Sequence, residues 1–160
     1  IVTPISKTEL MIGKMIPYVI IGFVDIILVL GISIFWFKVA VKGSILLLLL
    51  FSIIFLFSAL GVGLFISTIA KSQLEAMQLS MFMIMPNMLL SGYMFPRSSM
   101  AAPIQFISNF LPLTYFIEVL RGIILKGNTF RQLYGHFFIL VFFALAFLAL
   151  STANFKKKIE

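Results

Sequence analysis

Residues 90–127 read LSGYMFPRSSMAAPIQFISNFLPLTYFIEVLRGIILKG. Whether they cross, enter or lie on a membrane determines how the rest of the chain is arranged. Pro96, Pro103 and Pro112 cut the run into short pieces, and the last piece carries Glu118, Arg121 and Lys126 among large apolar residues. Two short helices are predicted, over 103–111 and 114–126. Pro103 suits a first helical turn, where its missing N–H costs nothing. Pro112 ends the first helix, and Gly127 with Asn128 ends the second. At about 13 residues, roughly 20 Å, the second helix is too short to span a bilayer. Phe116, Ile117, Leu120, Ile123 and Ile124 make its apolar face, and Glu118 and Arg121, three apart, can pair on the other. Non-helical backbone at membrane depth is tolerated only inside protein or beside a water-filled cavity. The pair is therefore expected to re-enter and pack against its neighbours; the alternative is an amphipathic hairpin lying flat on the surface.

The flanking sequence supplies those neighbours. The 160 residues are 62% hydrophobic and 11% charged, with a mean hydropathy of +1.18. A soluble domain carries about 25% charged residues, so this chain needs the bilayer as solvent. Four spans are expected, at about 17–37, 45–70, 76–95 and 133–153. Residues 1–16 form either a short interfacial helix or a plain connector, with Ser6 and Glu9 fitting a capping box and Lys7 and Lys14 on its polar side. The fold class is thus an all-α polytopic membrane protein: four transmembrane helices, an interfacial N-terminal helix and a re-entrant helical hairpin over about 96–127.

Three features mark helix faces. Asp25 lies about eight residues, roughly 12 Å, inside the first span, on one face with Tyr18, Gly22 and Ser33. It serves either an interhelix contact or a pathway, since intramembrane ionisable groups are functional candidates by default. In the second span Ser52, Ala59, Gly63 and Ser67 form a small-residue stripe that lets helices approach closely, and Ala149 and Ala153 repeat the pattern in the last. In the third span Ser80, Asn87 and Ser91 share a face with Gln73, beside Met77, Met81, Met85 and Met88. This is either a soft, partly polar pathway wall or ordinary interhelix packing. Pro86 is expected to kink that span unless its freed carbonyl finds another partner.

Several chemistries are missing. There is no cysteine and only one histidine, His136, so no metal site is expected. No phosphate-binding loop of the G-x-x-x-x-G-K-[ST] type occurs. No catalytic residue is expected, and His136 has no evident partner in sequence. The net charge of +7 is carried at span ends and in short loops, the membrane pattern, so nucleic acid is not expected as a partner. Charge does not orient the chain. Lys7, Lys14, Lys71, Lys156, Lys157 and Lys158 fall on the side of the termini, and Lys38, Lys42, Arg97, Arg121, Lys126 and Arg131 fall on the other. Because Ile1 heads the chain, a longer polypeptide is expected.

Two patches bring a family into view. One is TPIS-x-x-E-L-x-x-GK from Thr3 to Lys14, with Pro4. The other is LSGYMFP from Leu90 to Pro96, then Ser99-Met100, then P-x-x-Y-F-x-x-x-LRGIILKG from Pro112 to Gly127, with Tyr115. Together they resemble the C-terminal part of an ABC-2 type export permease. Ala101, where the family usually has proline, is a departure that affects only the entry to the first short helix. The resemblance implies a six-span subunit of which residues 1–160 hold spans three to six. It also implies a pathway shared with a second permease subunit, and a separate ATP-binding subunit that carries ATP and Mg, this chain holding no cofactor. It places both termini on the cytoplasmic side of the cell's inner membrane, in contact with lipid. Thr3, Pro4, Lys7, Glu9 and Lys14 would then lie on the coupling side, and Pro96, Pro103, Pro112, Tyr115, Glu118 and Arg121 in an external gate. An ion-coupled carrier or channel, or less readily a lipid-modifying membrane enzyme, is the rival reading.

Overall fold

The computed structural model describes residues 7–154. Thr3, Pro4 and Ser6 fall outside them, as do Lys156, Lys157, Lys158 and the side chain of Lys7. All regular structure among the described residues is helical. Six helices follow in order: α1 (Lys7–Phe35), α2 (Ile45–Ile69), α3 (Gln73–Leu90), α4 (Ala102–Ser108), α5 (Pro112–Arg121) and α6 (Phe130–Asn154). Alpha5 runs on into a π-helical turn, Gly122–Lys126.

The helix ends follow from local chemistry. Ser44 caps α2, its Oγ accepting the Leu47 N–H at 3.4 Å. Ser72 caps α3 by accepting from Glu75 N–H at 3.2 Å, while the Glu75 carboxylate accepts the Lys71 N–H at 2.7 Å. The Glu75 N–H is one of the donors that a helix start leaves open; the Lys71 N–H lies one residue before the cap, so the carboxylate fixes the chain's entry into the helix. Pro103 lies in the first turn of α4 and Pro112 opens α5, so Pro112 starts the second short helix as well as ending the first. The π turn stops at Gly127, whose φ of +68° is left-handed, and Asn128 N–H closes it on the Gly122 carbonyl at 3.0 Å.

Two expectations change here, and a third is met in part. The first helix is one piece from Lys7 to Phe35 and runs through Pro17, so among the described residues no separate interfacial helix precedes the span; residues 1–6 of the expected segment lie outside them. A proline inside an apolar helix is accommodated when local adjustments re-satisfy the freed carbonyl. The third helix stops at Leu90, not near residue 95, with Ser91 as its C-cap and Gly92 turning the chain at φ +86°; it passes Pro86 without a break. Among the described residues three helical segments are long and apolar enough to cross a membrane, Ile12–Phe35, Ile45–Ile69 and Phe130–Asn154, or four if the bent pair α4–α5 counts as one. The four spans expected from sequence included α3. Its 18 residues reach about 27 Å, but Gln73, Glu75, Gln78 and Asn87 dilute its apolarity below that of the three.

Alpha2 and α6 form the principal seam, and α5 packs against both. The seam is drawn tight at Gly61. A Cβ there would lie 2.9 Å from the Phe147 Cβ, and the Ser151 hydroxyl donates to the Gly61 carbonyl at 3.2 Å. The expected stripe Ala59, Gly63, Ser67 is exposed instead, as are Ala149 and Ala153, while Ser52, Ser58, Gly61, Ala144 and Ser151 are buried. Alpha2 is apolar on every side, so its periodicity does not say which row of small residues meets the partner.

The core sits where α5 and its π turn enter between α2 and α6. Leu48, Phe51, Val119, Ile123, Leu133 and Leu140 form it, and Phe116 stacks on Phe55 at 4.3 Å. The same end of the bundle holds the α1–α2 loop. Lys42 N–H donates to the Ile124 carbonyl at 3.2 Å, and a Cβ on Gly43 would sit 2.7 Å from the Ile123 carbonyl oxygen. At the opposite end Ile12, Met15 and Ile16 of α1 share an apolar pocket with Leu148 and Thr152 of α6. The start of α1 and the end of α6 therefore lie at one end of the bundle, and the hairpin lies at the other.

Candidate functional site

The two short helices meet at a bend of 94°, and their polar residues converge at the elbow. Arg97, in the turn before α4, donates to Glu118 Oε1 of α5 at 2.6 Å and to the side-chain oxygen of Asn109. His136 of α6 pairs through Nε2 with Glu118 Oε2 at 2.9 Å. One carboxylate thus joins the hairpin's entry turn, its second helix and the last long helix. The hydrogen bond from His136, with the hydrogen bond and charge of Arg97, holds Glu118 below its ordinary value of 4.5 against the opposing effect of partial burial. Further bonds fix the elbow. Gln105 donates to the Arg97 and Met100 carbonyls at 3.0 and 2.9 Å. The buried Thr114 hydroxyl donates to the Ser108 carbonyl at 2.8 Å, and Tyr115 OH to the Asn109 carbonyl at 3.0 Å.

Arg121 corrects the expected pairing. It does not meet Glu118; its guanidinium donates to the Gly92 carbonyl at 2.8 Å, tying α5 to the turn after α3. A spacing of three allows a helical pair, but Arg97 and His136 approach Glu118 from outside its helix and occupy both its oxygens. Sequence reasoning missed Arg97, Asn109 and His136 as members of this cluster. The signal available was that Arg97 follows a long hydrophobic segment and His136 lies near the start of another; nothing in the sequence marks Asn109.

Beside the hairpin a cavity of about 340 Å³ opens between α2 and α3, closed at one end by Pro112 and Leu113. Its walls include Phe55, Ala59 and Gly63 from α2 and Ser80, Asn87 and Met88 from α3. The exposed small-residue stripe of α2 therefore borders this space and leaves room for it. Ser80 and Asn87 donate to carbonyls of their own helix, Ala76 and Met83, each at 2.8 Å, which leaves oxygen acceptors facing the cavity.

The remaining sequence-predicted residues divide. Met81 and Met85 are 61% and 55% exposed and do not line the cavity, nor does Met77. Met83 and Ile84 line it instead, because the α3 face that meets α2 is centred on Ser80 and Asn87. Ser91 is buried and caps α3. Asp25 is exposed on α1 and belongs to neither the cavity nor the elbow. Pro96 precedes the 3-10 turn that positions Arg97. Glu9 and Lys14 are exposed on the first turns of α1. Among the described residues no group of acids or histidines could hold a metal.

Residues 1–125 match the family described as ABC-2 type transporter. The chain is 35% identical over 159 residues to the probable multidrug ABC transporter permease YbhS of Escherichia coli (strain K12), covering 99% of this chain and 42% of that protein. It is 29% identical over 164 residues to the inner membrane transport permease YhhJ of the same strain, with 99% and 43% covered. It is 29% identical over 123 residues to ABC transporter G family member 20 of Dictyostelium discoideum, with 77% and 17% covered. The chain thus spans about two fifths of the length of the two bacterial relatives. No solved structure matches it.

Proposed function

Because the chain belongs to the ABC-2 type transporter family, we propose that it is the C-terminal part of the transmembrane domain of an ATP-driven exporter. It acts as a permease, not an enzyme, and a separate ATP-binding subunit holds ATP and Mg. A second permease subunit completes the pathway. In this reading α1, α2, α3 and α6 cross the inner membrane with both termini cytoplasmic, and α4–α5 re-enters from the outside. The start of α1, with Glu9 and Lys14, then lies on the side of the ATP-binding subunit.

The observation that carries the reading is the α2–α3 cavity with an ionically braced hairpin, whose second helix is part of the core, over one end. A space walled by apolar side chains, with Ser80 and Asn87 as its few acceptors, suits an amphiphilic small molecule. One relative, named a probable multidrug ABC transporter permease, agrees with that class. Arg97, Glu118 and His136 brace the outer gate, because moving α5 away from α6 parts a charged pair from its histidine.

The test uses the full-length permease with its ATP-binding subunit in inside-out vesicles, with ethidium as probe. ATP-dependent uptake is expected, and Asn87→Leu with Ser80→Leu, which fill the cavity, should lower it about tenfold without lowering the amount of protein in the membrane. Uptake driven by an ion gradient without ATP would favour a secondary carrier and overturn the proposal.

A further inference from the structure

The end of the hairpin meets the α1–α2 loop backbone to backbone. The last carbonyls of a helix have no partner within it. In the π turn, the Ile124 carbonyl accepts the N–H of Lys42 at 3.2 Å, a donor from outside the hairpin. The approach leaves no room for side chains. A Cβ on Gly43 would lie 2.7 Å from the Ile123 carbonyl oxygen and 2.9 Å from Ile123 Cγ2, and a Cβ on Gly127 would lie 3.2 Å from the Lys42 carbonyl oxygen. Ile123 itself is fully buried. Gly43 is followed at once by Ser44, the cap of α2, and two residues separate Gly127 from the start of α6. The hairpin's ties at the elbow are of another kind. Arg97 to Glu118, His136 to Glu118 and Arg121 to the Gly92 carbonyl all run through side chains, which can change rotamer and re-form their bonds.

We infer, resting on the transport reading, that Gly43 and Gly127 are positioning residues of the gate. They seat the α1–α2 loop on the π turn, so that the loop and the end of α5 move as one body while the elbow's side-chain bonds break and re-form. Close-packed backbone has no slack in which a displacement could be lost, and coupling between distant sites runs through such contiguous contacts and rigid elements. Alpha1 is unbroken from Lys7 to Phe35, roughly 40 Å by helix rise. A displacement at its start, on the side of the ATP-binding subunit, reaches the loop at the far end of the bundle through a single helix. The loop then carries it to the hairpin.

The experiment measures ethidium uptake and ATP hydrolysis together, in inside-out vesicles holding the full-length permease and its ATP-binding subunit. Gly43→Val wedges the loop off the π turn. It should lower the ethidium moved per ATP hydrolysed several-fold, with ATP hydrolysis and the amount of protein in the membrane close to wild type. Gly31→Ala, whose Cβ meets nothing within 4 Å, should match wild type. A second measurement locks the seat. A Cβ on Gly127 would lie 3.5 Å from Lys42 Cβ, within the span that a disulfide bridges. Lys42→Cys with Gly127→Cys, in a full-length protein otherwise free of cysteine, should cross-link on oxidation and keep transport within twofold of the reduced form. Three results would overturn the coupling alone: wild-type transport per ATP in Gly43→Val, a parallel fall of hydrolysis and uptake in that variant, or transport lost on oxidation and restored by reductant. Failure of the pair to cross-link would overturn the seat itself. Absence of ATP-dependent uptake from the wild type would overturn the transport reading and the coupling with it.

Discussion

Arg97 and Glu118 stand 21 positions apart, and Glu118 and His136 stand 18 apart. No local spacing rule reaches across such separations, which is why the sequence suggests Glu118 with Arg121 and the fold makes a different pair. The distinction is open to charge exchange. Glu118→Arg and Arg97→Glu should each lower ATP-dependent transport several-fold, since each leaves a like charge at the elbow. Combining them should restore a large part of the loss. Combining Glu118→Arg with Arg121→Glu should restore none, because Arg121 serves the Gly92 carbonyl. Rescue by the Arg121 exchange in the same transport assay would reverse the assignment. Pro103 and Pro112, by contrast, were legible one residue at a time, because a proline ring restricts its own φ and its neighbour wherever it stands.

Elements were legible to the degree that the bilayer alone specifies them. The second span, expected at 45–70, is a helix over Ile45–Ile69, and the last, expected at 133–153, runs Phe130–Asn154. Which face of each helix meets a neighbour was less legible. Two rows of small residues run along α2, and lipid tolerates either outward. The fold makes Gly61 the seam and Gly63 the cavity wall, and the two glycines should answer differently to one methyl group. Gly61→Ala drives a Cβ to 2.9 Å from Phe147 Cβ, which leaves the α2–α6 seam overpacked by about 1–3 kcal/mol. Gly63→Ala meets nothing within 4 Å and should be neutral, or stabilising by up to about 1 kcal/mol from helix propensity. Thermal unfolding of the two variants in the same detergent checks the order, and equal destabilisation would move the seam. Alpha3 was half legible: its polar Ser80–Asn87 row does face protein, but the methionine row beside it faces mostly outward, since a helix of mixed polarity has more than one face able to pack.

At the scale of the whole molecule, the chain is a small bundle whose best-packed region is the one that the prolines interrupt. Val119 and Ile123 of the hairpin are fully buried against Leu48, Phe51, Leu133 and Leu140. That burial disfavours a hairpin lying flat on the surface, and the 94° bend separates it from a straight span. The central claim is that residues 90–127 enter the membrane and leave by the face they entered. It is tested most directly by placing single cysteines at Ser98 and at Lys126, both exposed, in the otherwise cysteine-free chain. Intact cells and inside-out vesicles are then labelled with an impermeant maleimide. The account predicts that both positions label from one and the same face, with Val119→Cys and Ile123→Cys protected from either. Labelling of Ser98→Cys and Lys126→Cys from opposite faces would make the bent pair a broken span and contradict it.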